Sequence, residues 1–293
     1  MVDNIKELIR CVACGDIAKA KKAAAIVLST NSSKKDDYFC RQMLSKLRAE
    51  PTMLTLPANI SSFAKMEDLS NTFMENRYYL SEREEELYKS ITKADNIGKK
   101  LAEKRIRCLN ASLLYGDSGT GKTTFGRFLA YKLDIPFLYL NFSYLISSLL
   151  GKTGQNIQLV FDYAKQQRCV LMLDELDAIG IERGGINEVG EMSRIVIALM
   201  QALDTLGNDV ILLAATNRYD IIDNALKRRF PRKHQVVPLT AKEKFAFGKA
   251  YLSDCGYDLS AEEIAAIIST AEKQSEVENR IIQYIIDYES EVR

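Results

Sequence analysis

Short apolar runs recur through the middle of the chain, and stretches with a helical period separate most of them. The runs occupy positions 111–115, 137–140, 170–173, 210–215 and 235–237. Almost fully apolar strands that alternate with helices are typical of a parallel sheet with both faces covered. We therefore predict an α/β fold with a five-stranded parallel sheet flanked by helices.

Both ends of the chain show only the helical period. Near the start, capping residues open three successive segments, at Asp3, at Asp16 and at Ser32 or Ser33. Three more helical segments follow Thr240. The pattern predicts a short helical N-terminal domain, residues 1–49, and a small all-helical C-terminal lid, residues 240–293. Residues 50–63 contain two prolines and no helical period, so we expect an extended linker there and the sheet domain in residues 64–239.

A glycine-rich loop joins the first apolar run to a helix. The pattern G-x-x-x-x-G-K-[ST] is matched by Gly116, Gly121, Lys122 and Thr123. Backbone N–H groups of such a loop surround a nucleotide's phosphates, its lysine reaches the β- and γ-phosphates, and its hydroxyl ligates Mg²⁺. A glycine-rich turn that carries a lysine by chance is the alternative, but the flanking strand and helix favour nucleotide binding. The predicted nucleotide-binding residues are Gly116, Asp117, Ser118, Gly119, Thr120, Gly121, Lys122, Thr123 and Thr124.

Polar side chains follow two later strands where those strands end. Asp174 and Glu175 come after the run 170–173, and Asn217 follows the run 210–215. The carboxyl edge of an open α/β sheet binds ligands, so Asp174 is predicted to hold Mg²⁺ and Glu175 to deprotonate a water molecule. Asn217 would position that water. The alternatives are acids that complement a helix N-terminus and an asparagine that forms a turn.

Two adjacent arginines, Arg228 and Arg229, lie shortly after Asn217. A guanidinium beside a phosphate neutralises charge in the transition state, which predicts an arginine-finger role for this pair. Surface arginines are common, so a solvated pair is the alternative. Both arginines are retained as candidate catalytic residues.

The composition limits the remaining classes of function. The 293 residues are 47% apolar and 27% charged, which is ordinary for a globular protein, and the net charge of +1 gives no overall case for nucleic acid. Cys11 and Cys14 form a lone C-x-x-C, and the chain has one histidine. We therefore interpret the two cysteines as small residues on one helix face rather than as zinc ligands. No apolar run approaches the ~20 residues of a membrane span, and the start lacks a signal peptide. We expect no membrane insertion and a cytoplasmic location.

Together these segments resemble the AAA+ ATPases. The phosphate loop, residues 171–175, the run Ala-Ala-Thr-Asn at 214–217 and the run Ala-Leu-Lys-Arg-Arg-Phe at 225–230 have the order and spacing of that superfamily. The resemblance covers residues 110–285. Within the superfamily, residues 226–233 are similar to the arginine-pair segment of the AAA clade that includes katanin, spastin and the vacuolar-sorting ATPase.

The resemblance implies an ATP hydrolase with ATP and Mg²⁺ as cofactors. It makes Lys122 and Thr123 the Walker A lysine and metal ligand, and Asn217 the sensor asparagine. Asp174 and Glu175 become the Walker B pair. The two arginines would act on the nucleotide of a neighbouring subunit, in a ring that is usually hexameric.

A segment that grips substrate in protein-threading members aligns with Leu149, Leu150 and Gly151. Leu149 stands where those members have an aromatic residue. A leucine can still contact an extended peptide, and ordinary packing is an equal alternative. We expect a ring that remodels or threads a protein partner, with residues 1–49 choosing the partner or adaptor. A nucleic-acid-associated ATPase (replication loader, transposition regulator or phage-encoded helper) remains open, while Glu175 and Asn217 argue against a scaffold that barely turns over.

Overall fold

The computed structural model describes residues 3–13, 17–30, 56–148, 152–179, 186–208 and 210–291. The chain divides into two compact units, Met1–Met53 and Leu54–Arg293. In the first unit, helices α1 (Asp3–Ala13) and α2 (Ile17–Thr30) pack against each other and bury Cys11 and Ala23. Cys14 and the third predicted helix lie outside the described residues.

The second unit is built on a six-stranded sheet. Its strands are β1 (Ala64–Glu67), β2 (Asn110–Tyr115), β3 (Phe137–Asn141), β4 (Val170–Asp174), β5 (Ile211–Thr216) and β6 (Arg232–Gln235). Their order across the sheet is β1-β3-β4-β5-β2-β6, with β1 antiparallel to β3 and every other pair parallel. The predicted α/β class is confirmed, and the sheet has one strand more than the predicted five.

The apolar pattern misses one strand and misplaces another, and these two are the edge strands of the sheet. In β1, Ala64 and Met66 are buried while Lys65 is exposed, so four alternating residues leave no apolar run. The last strand is predicted at 235–237 but is Arg232–Gln235, whose four polar residues are alternately half-buried and exposed. An edge strand faces solvent along one side, so polar residues are tolerated there and periodicity alone misplaces it.

Helices cover both faces of the sheet. They are α3 (Ala58–Ser61), α4 (Glu82–Glu103), α5 (Lys122–Leu133), α6 (Phe142–Ser148), α7 (Thr153–Gln166), α8 (Ile186–Thr205) and α9 (Asn224–Arg228). Successive strand residues point to opposite faces, so Leu113 enters one core with α7 and α8 while Leu114 enters the other with α4 and α5. The predicted apolar face of α5 is confirmed, because Phe125, Phe128 and Leu129 are all buried in the second core.

The described part of the predicted linker is not extended. Residues 58–61 form helix α3, and Ile60 and Phe63 are buried in the core of the sheet unit. Pro57 stands directly before this helix, where its missing N–H costs nothing. The prediction of an extended segment up to residue 63 is therefore wrong from Ala58 onward, where the chain turns into a helix and Ile60 and Phe63 are buried.

Three helices follow the sheet and form a small core of their own. They are α10 (Ala241–Asp254), α11 (Ala261–Ile268) and α12 (Gln274–Glu291), as the helical period of this region predicts. Phe247, Ile264 and Val277 contribute one buried side chain from each helix. Capping boxes begin α10 and α11, at Thr240 and Ser260. Across the described ranges, no helix combines the length and the apolar character that crossing a membrane requires.

Candidate active site

The glycine-rich loop leaves the end of β2 and turns directly into α5. Gly116 has a φ of +150° and Gly121 a φ of +99°, both in the region that favours glycine. A Cβ on Gly116 would lie 2.1 Å from the carbonyl oxygen of Val236, so the loop backbone runs against the segment after β6. Glycine is required at these positions for the loop to curl back over the start of α5.

Lys122 is a buried cation at the first position of α5. Its side chain is only 7% exposed, and Nζ donates to the carbonyl oxygens of Gly116 at 2.8 Å and Asp117 at 2.7 Å. Burial lowers the pKa of the Lys122 ammonium, and the nearby Asp174 carboxylate acts in the opposite direction. The loop thus holds the ammonium by carbonyl oxygens that a phosphate group is able to replace.

A cavity of about 260 Å³ lies over this loop. Its lining residues come from the loop, from two strand ends, from a 3₁₀ turn and from the C-terminal helices: Arg77, Ser118, Gly119, Gly121, Lys122, Thr123, Thr124, Asp174, Glu175, Asn217, Gln274, Ser275 and Glu278. Four predicted groups therefore share one cavity, because the parallel strands β2, β4 and β5 all end at the same sheet edge. Gly116, Asp117 and Thr120, predicted with the loop, are not among its lining residues.

A hydroxyl and a carboxylate meet at the predicted metal position. Thr123 Oγ1 donates to Asp174 Oδ2 at 2.6 Å, and Asp174 Oδ1 accepts from the backbone N–H of Glu175 at 2.9 Å. These oxygen donors suit Mg²⁺, which protein sites hold through one or two carboxylates together with waters and phosphates. Within the described ranges, no group of three or more Asp, Glu, His or Cys side chains could hold a metal ion. Thr123 and Asp174 are thus the candidate pair of protein ligands.

Glu175 has a left-handed backbone conformation, with a φ of +55°. Such a conformation costs a non-glycine residue roughly 1–3 kcal/mol and persists only where the surroundings impose it. Here the N–H of Glu175 is fixed by Asp174, and its carbonyl oxygen accepts from the N–H of Ala178 at the start of a 3₁₀ helix, Leu176–Ile179. This geometry turns the chain sharply at the end of β4, where the side chain lines the cavity.

One carboxylate joins the ends of β4 and β5. Asp177 Oδ1 accepts from Thr216 Oγ1 at 2.9 Å and from the backbone N–H of Asn217 at 3.1 Å. Asn217 is thereby held on the same side of the sheet as Glu175. Nothing in the spacing of Asp177 along the sequence indicates this bond to the next strand.

The C-terminal helices supply a wall of the cavity that no motif identifies. The backbone N–H of Ser275 donates to the carbonyl oxygen of Gly119 at 3.2 Å, so α12 begins on the phosphate loop. Gln274 and Glu278 line the same wall, and Arg77 lines the cavity from the 3₁₀ turn Glu75–Arg77.

The two candidate finger arginines lie elsewhere on the unit. Arg228 is exposed and has no hydrogen-bond or ion-pair partner among the described residues. Arg229 is held by Asp204, with Nε–Oδ1 at 3.0 Å and Nη2–Oδ2 at 2.9 Å. Neither lines the cavity of its own chain. The predicted substrate loop, Leu149, Leu150 and Gly151, lies outside the described residues.

Comparison with known proteins finds one matching family and several relatives of this chain. Residues 112–238 match the family "ATPase family associated with various cellular activities (AAA)". The chain is 36% identical over 147 residues to the uncharacterized AAA family ATPase y4kL of Sinorhizobium fredii, which covers 49% of this chain and 42% of that protein. It is 34% identical over 164 residues to the proteasome-activating nucleotidase of Methanoculleus marisnigri, covering 53% and 40%.

A third relative is the peroxisomal ATPase PEX6 of Dictyostelium discoideum, 38% identical over 120 residues, which are 40% of this chain and 10% of that protein. The chain thus spans less than half the length of these three curated relatives. The family match lies within the second unit and includes the glycine-rich loop, Asp174, Glu175 and Asn217.

Proposed function

We propose that the protein couples ATP hydrolysis to the remodelling or threading of a protein partner, since residues 112–238 match the AAA family of ATPases. The observation that carries the proposal is the cavity that gathers Lys122, Thr123, Asp174, Glu175 and Asn217. An ammonium, a metal-binding pair, a carboxylate base and an amide are the groups that phosphoryl transfer to water requires.

Each group has one task in the proposed reaction. Lys122 binds the β- and γ-phosphates, and the glycine-rich loop surrounds them with backbone N–H groups. Thr123 and Asp174 hold Mg²⁺, which neutralises charge on the β- and γ-oxygens when it is bound. Glu175 accepts a proton from the attacking water, and Asn217 orients that water against the γ-phosphate.

The charge that develops in the transition state calls for a further cation. We assign that task to Arg228 and Arg229 of a neighbouring copy, in a ring that we propose, by family resemblance, to be a hexamer. The exposure of Arg228 and the absence of both arginines from the lining of their own cavity support the assignment. The arginine-pair segment also supports placement in the clade of katanin, spastin and the vacuolar-sorting ATPase, and the location proposed is the cytoplasm.

A protein client is the proposed substrate. The name of one relative, proteasome-activating nucleotidase, concerns protein handling by that relative and supports this class of client. Residues 1–49 would select the partner or adaptor, and Leu149, Leu150 and Gly151 would contact an extended peptide. These assignments rest on family resemblance together with the cavity.

The client class is tested by stimulation of ATPase activity. We expect the steady-state rate to rise with an unfolded polypeptide and not with DNA, and Leu149→Ala to abolish that rise while leaving the basal rate intact. Stimulation by DNA that falls steeply with salt would instead establish the nucleic-acid-associated alternative.

The client itself is identified with a variant that binds ATP without turning it over. Glu175→Gln keeps the shape of the side chain and removes the base, so complexes formed in ATP should persist. Affinity purification of this variant, at an ATP concentration too low to occupy the matched weak-binding variant Lys122→Ala, should retain one partner in the first sample alone. Equal recovery in both samples would argue against ATP-dependent engagement.

A further inference from the structure

Arg77 lines the nucleotide cavity although it belongs to no recognised motif. It ends the 3₁₀ turn Glu75–Arg77, which lies between β1 and α4 and therefore belongs to the sheet part of the unit. Its side chain nevertheless reaches the C-terminal helices. Arg77 is thus a cavity residue that belongs to the sheet part of the unit and contacts the C-terminal helices.

The partner of Arg77 is a carboxylate at an unusual place. Asp254 is the last residue of α10, where an acid opposes the helix dipole. Arg77 Nε donates to Asp254 Oδ2 at 2.8 Å, and Asn76 Nδ2 donates to Oδ1 at 3.3 Å. Two successive residues of the turn thus occupy both carboxylate oxygens, which compensates the acid at this helix end and fixes α10 to the turn.

A second contact ties Arg77 to the same helices. Its guanidinium carbon lies 5.3 Å from the ring centroid of Tyr251, in the last turns of α10. The Tyr251 hydroxyl donates to Glu278 Oε1 at 3.4 Å, and Glu278 lines the cavity from α12. The arginine therefore contacts α10 directly and reaches the cavity wall on α12 through this tyrosine.

The guanidinium keeps donors for a ligand. Of its N–H groups, Nε is the one with a hydrogen-bond partner among the described residues, which leaves the Nη1 and Nη2 amino groups unengaged there. An anionic nucleotide in the cavity would be an acceptor for them. One planar group is then able to bind the lid carboxylate and the nucleotide at the same time.

We infer that Arg77 is a positioning residue that couples nucleotide binding to the placement of the C-terminal lid. Nε holds Asp254 at the end of α10, and the amino groups bind the nucleotide, so each contact orients the guanidinium for the other. The lid is then held at two points, at Arg77 and at the bond between Ser275 and Gly119. The inference rests on the proposed nucleotide site.

Two substitutions separate the two contacts. Arg77→Ala removes both contacts. We expect the Kd for the Mg²⁺ complex of AMP-PNP, measured by calorimetry, to rise about tenfold, because one hydrogen bond to a charged group is lost. Asp254→Asn removes only the lid charge, so Kd should stay within about twofold. In both variants, the extra hydrogen-exchange protection that AMP-PNP gives to amides of α10 should fall by at least half.

The matched control is Glu75→Gln. It breaks the ion pair of the same turn with Lys132 of α5, which does not involve the lid. Kd and α10 protection should both remain as in the wild type. Thermal unfolding of each variant shows whether it is folded, and if Arg77→Ala is not, the α10 protection of Asp254→Asn decides the coupling.

The outcomes distinguish this inference from the proposed function. If the wild-type chain does not bind AMP-PNP, the nucleotide site itself is refuted. If the wild type binds and Asp254→Asn retains full AMP-PNP-dependent protection of α10, the coupling role of Arg77 is refuted while the ATPase proposal stands. An unchanged Kd in folded Arg77→Ala would refute the contact with nucleotide.

Discussion

The nucleotide cavity and the arginine pair belong to the same α/β unit, yet their side chains are held in opposite ways. In the cavity, Lys122 is buried and bonded to loop carbonyls, and Asp174 is fixed by Thr123. Arg228, in contrast, is exposed, and Arg229 pairs with a surface carboxylate away from the cavity. The groups proposed to bind nucleotide and to activate water are therefore assembled within one chain, whereas the two arginines lie outside the cavity of their own chain.

This difference indicates which residues are able to act on a second copy of the chain. A buried ammonium must be satisfied by its own chain, because an unpaired buried charge is costly. An exposed guanidinium has no such requirement and is free to act on another molecule. Substitutions in the two regions should consequently affect different steps.

The largest effect is expected for the arginines. Arg229→Ala and Arg228→Ala should each lower turnover by ~10³–10⁵, the range measured for arginine fingers, while ATP affinity stays within a few-fold. Steady-state ATPase rates and calorimetric binding check both parts. Lys233→Ala removes a nearby exposed cation and should change neither. Unimpaired turnover in Arg229→Ala would remove it from the reaction.

A somewhat smaller loss is expected inside the cavity at the base. Glu175→Gln should lower turnover by ~10²–10⁴ because it removes general-base catalysis, and nucleotide binding should persist. Single-turnover hydrolysis with excess enzyme measures the chemical step directly. A rate within about threefold of the wild type would show that another group accepts the proton.

Nucleotide binding itself should depend on the buried ammonium. Lys122→Ala should weaken ATP binding by about 10- to 100-fold, since a hydrogen bond to a charged group contributes roughly 1.5–3 kcal/mol. Lys132→Ala is the matched control, because Lys132 lies at the far end of α5 and pairs with Glu75. Equal affinities in the two variants would contradict the assignment of Lys122 to the phosphates.

The smallest effect on turnover is expected at the ion pair between Arg229 and Asp204 of the same chain. The Arg229 guanidinium holds the pKa of Asp204 below its ordinary range, so the pair is ionised at neutral pH. Asp204→Asn should lower turnover about two- to fivefold, since exposed pairs contribute ~0.2–1 kcal/mol. A rise in turnover would mean that Asp204 restrains Arg229 from the neighbouring site.

Central strands were predictable and edge strands were not. The runs 111–115, 137–140, 170–173 and 210–215 coincide with β2 to β5 to within one residue at each end, because strands buried on both faces must be apolar. At the edges, β1 alternates apolar and polar residues and β6 is polar throughout, so the apolar pattern contained no signal for the first and displaced the second.

The site divides in the same manner. Loop glycines and strand-end carboxylates follow from local rules, since a tight phosphate loop needs positive φ and parallel strands end at one edge. Asp177 and Arg77 reach their partners only through the tertiary arrangement of β5 and α10. Their spacing along the chain contains no trace of those contacts, so sequence reasoning could not find them.

The central claim is that two copies of the chain complete one hydrolytic site. The most direct test is the ATPase rate per chain across a dilution series, with the assembly state at each concentration measured by analytical ultracentrifugation. The shared site predicts a rate per chain that falls steeply as the assembly dissociates and is lost in the monomer. A constant rate per chain down to concentrations at which the protein is monomeric would contradict it.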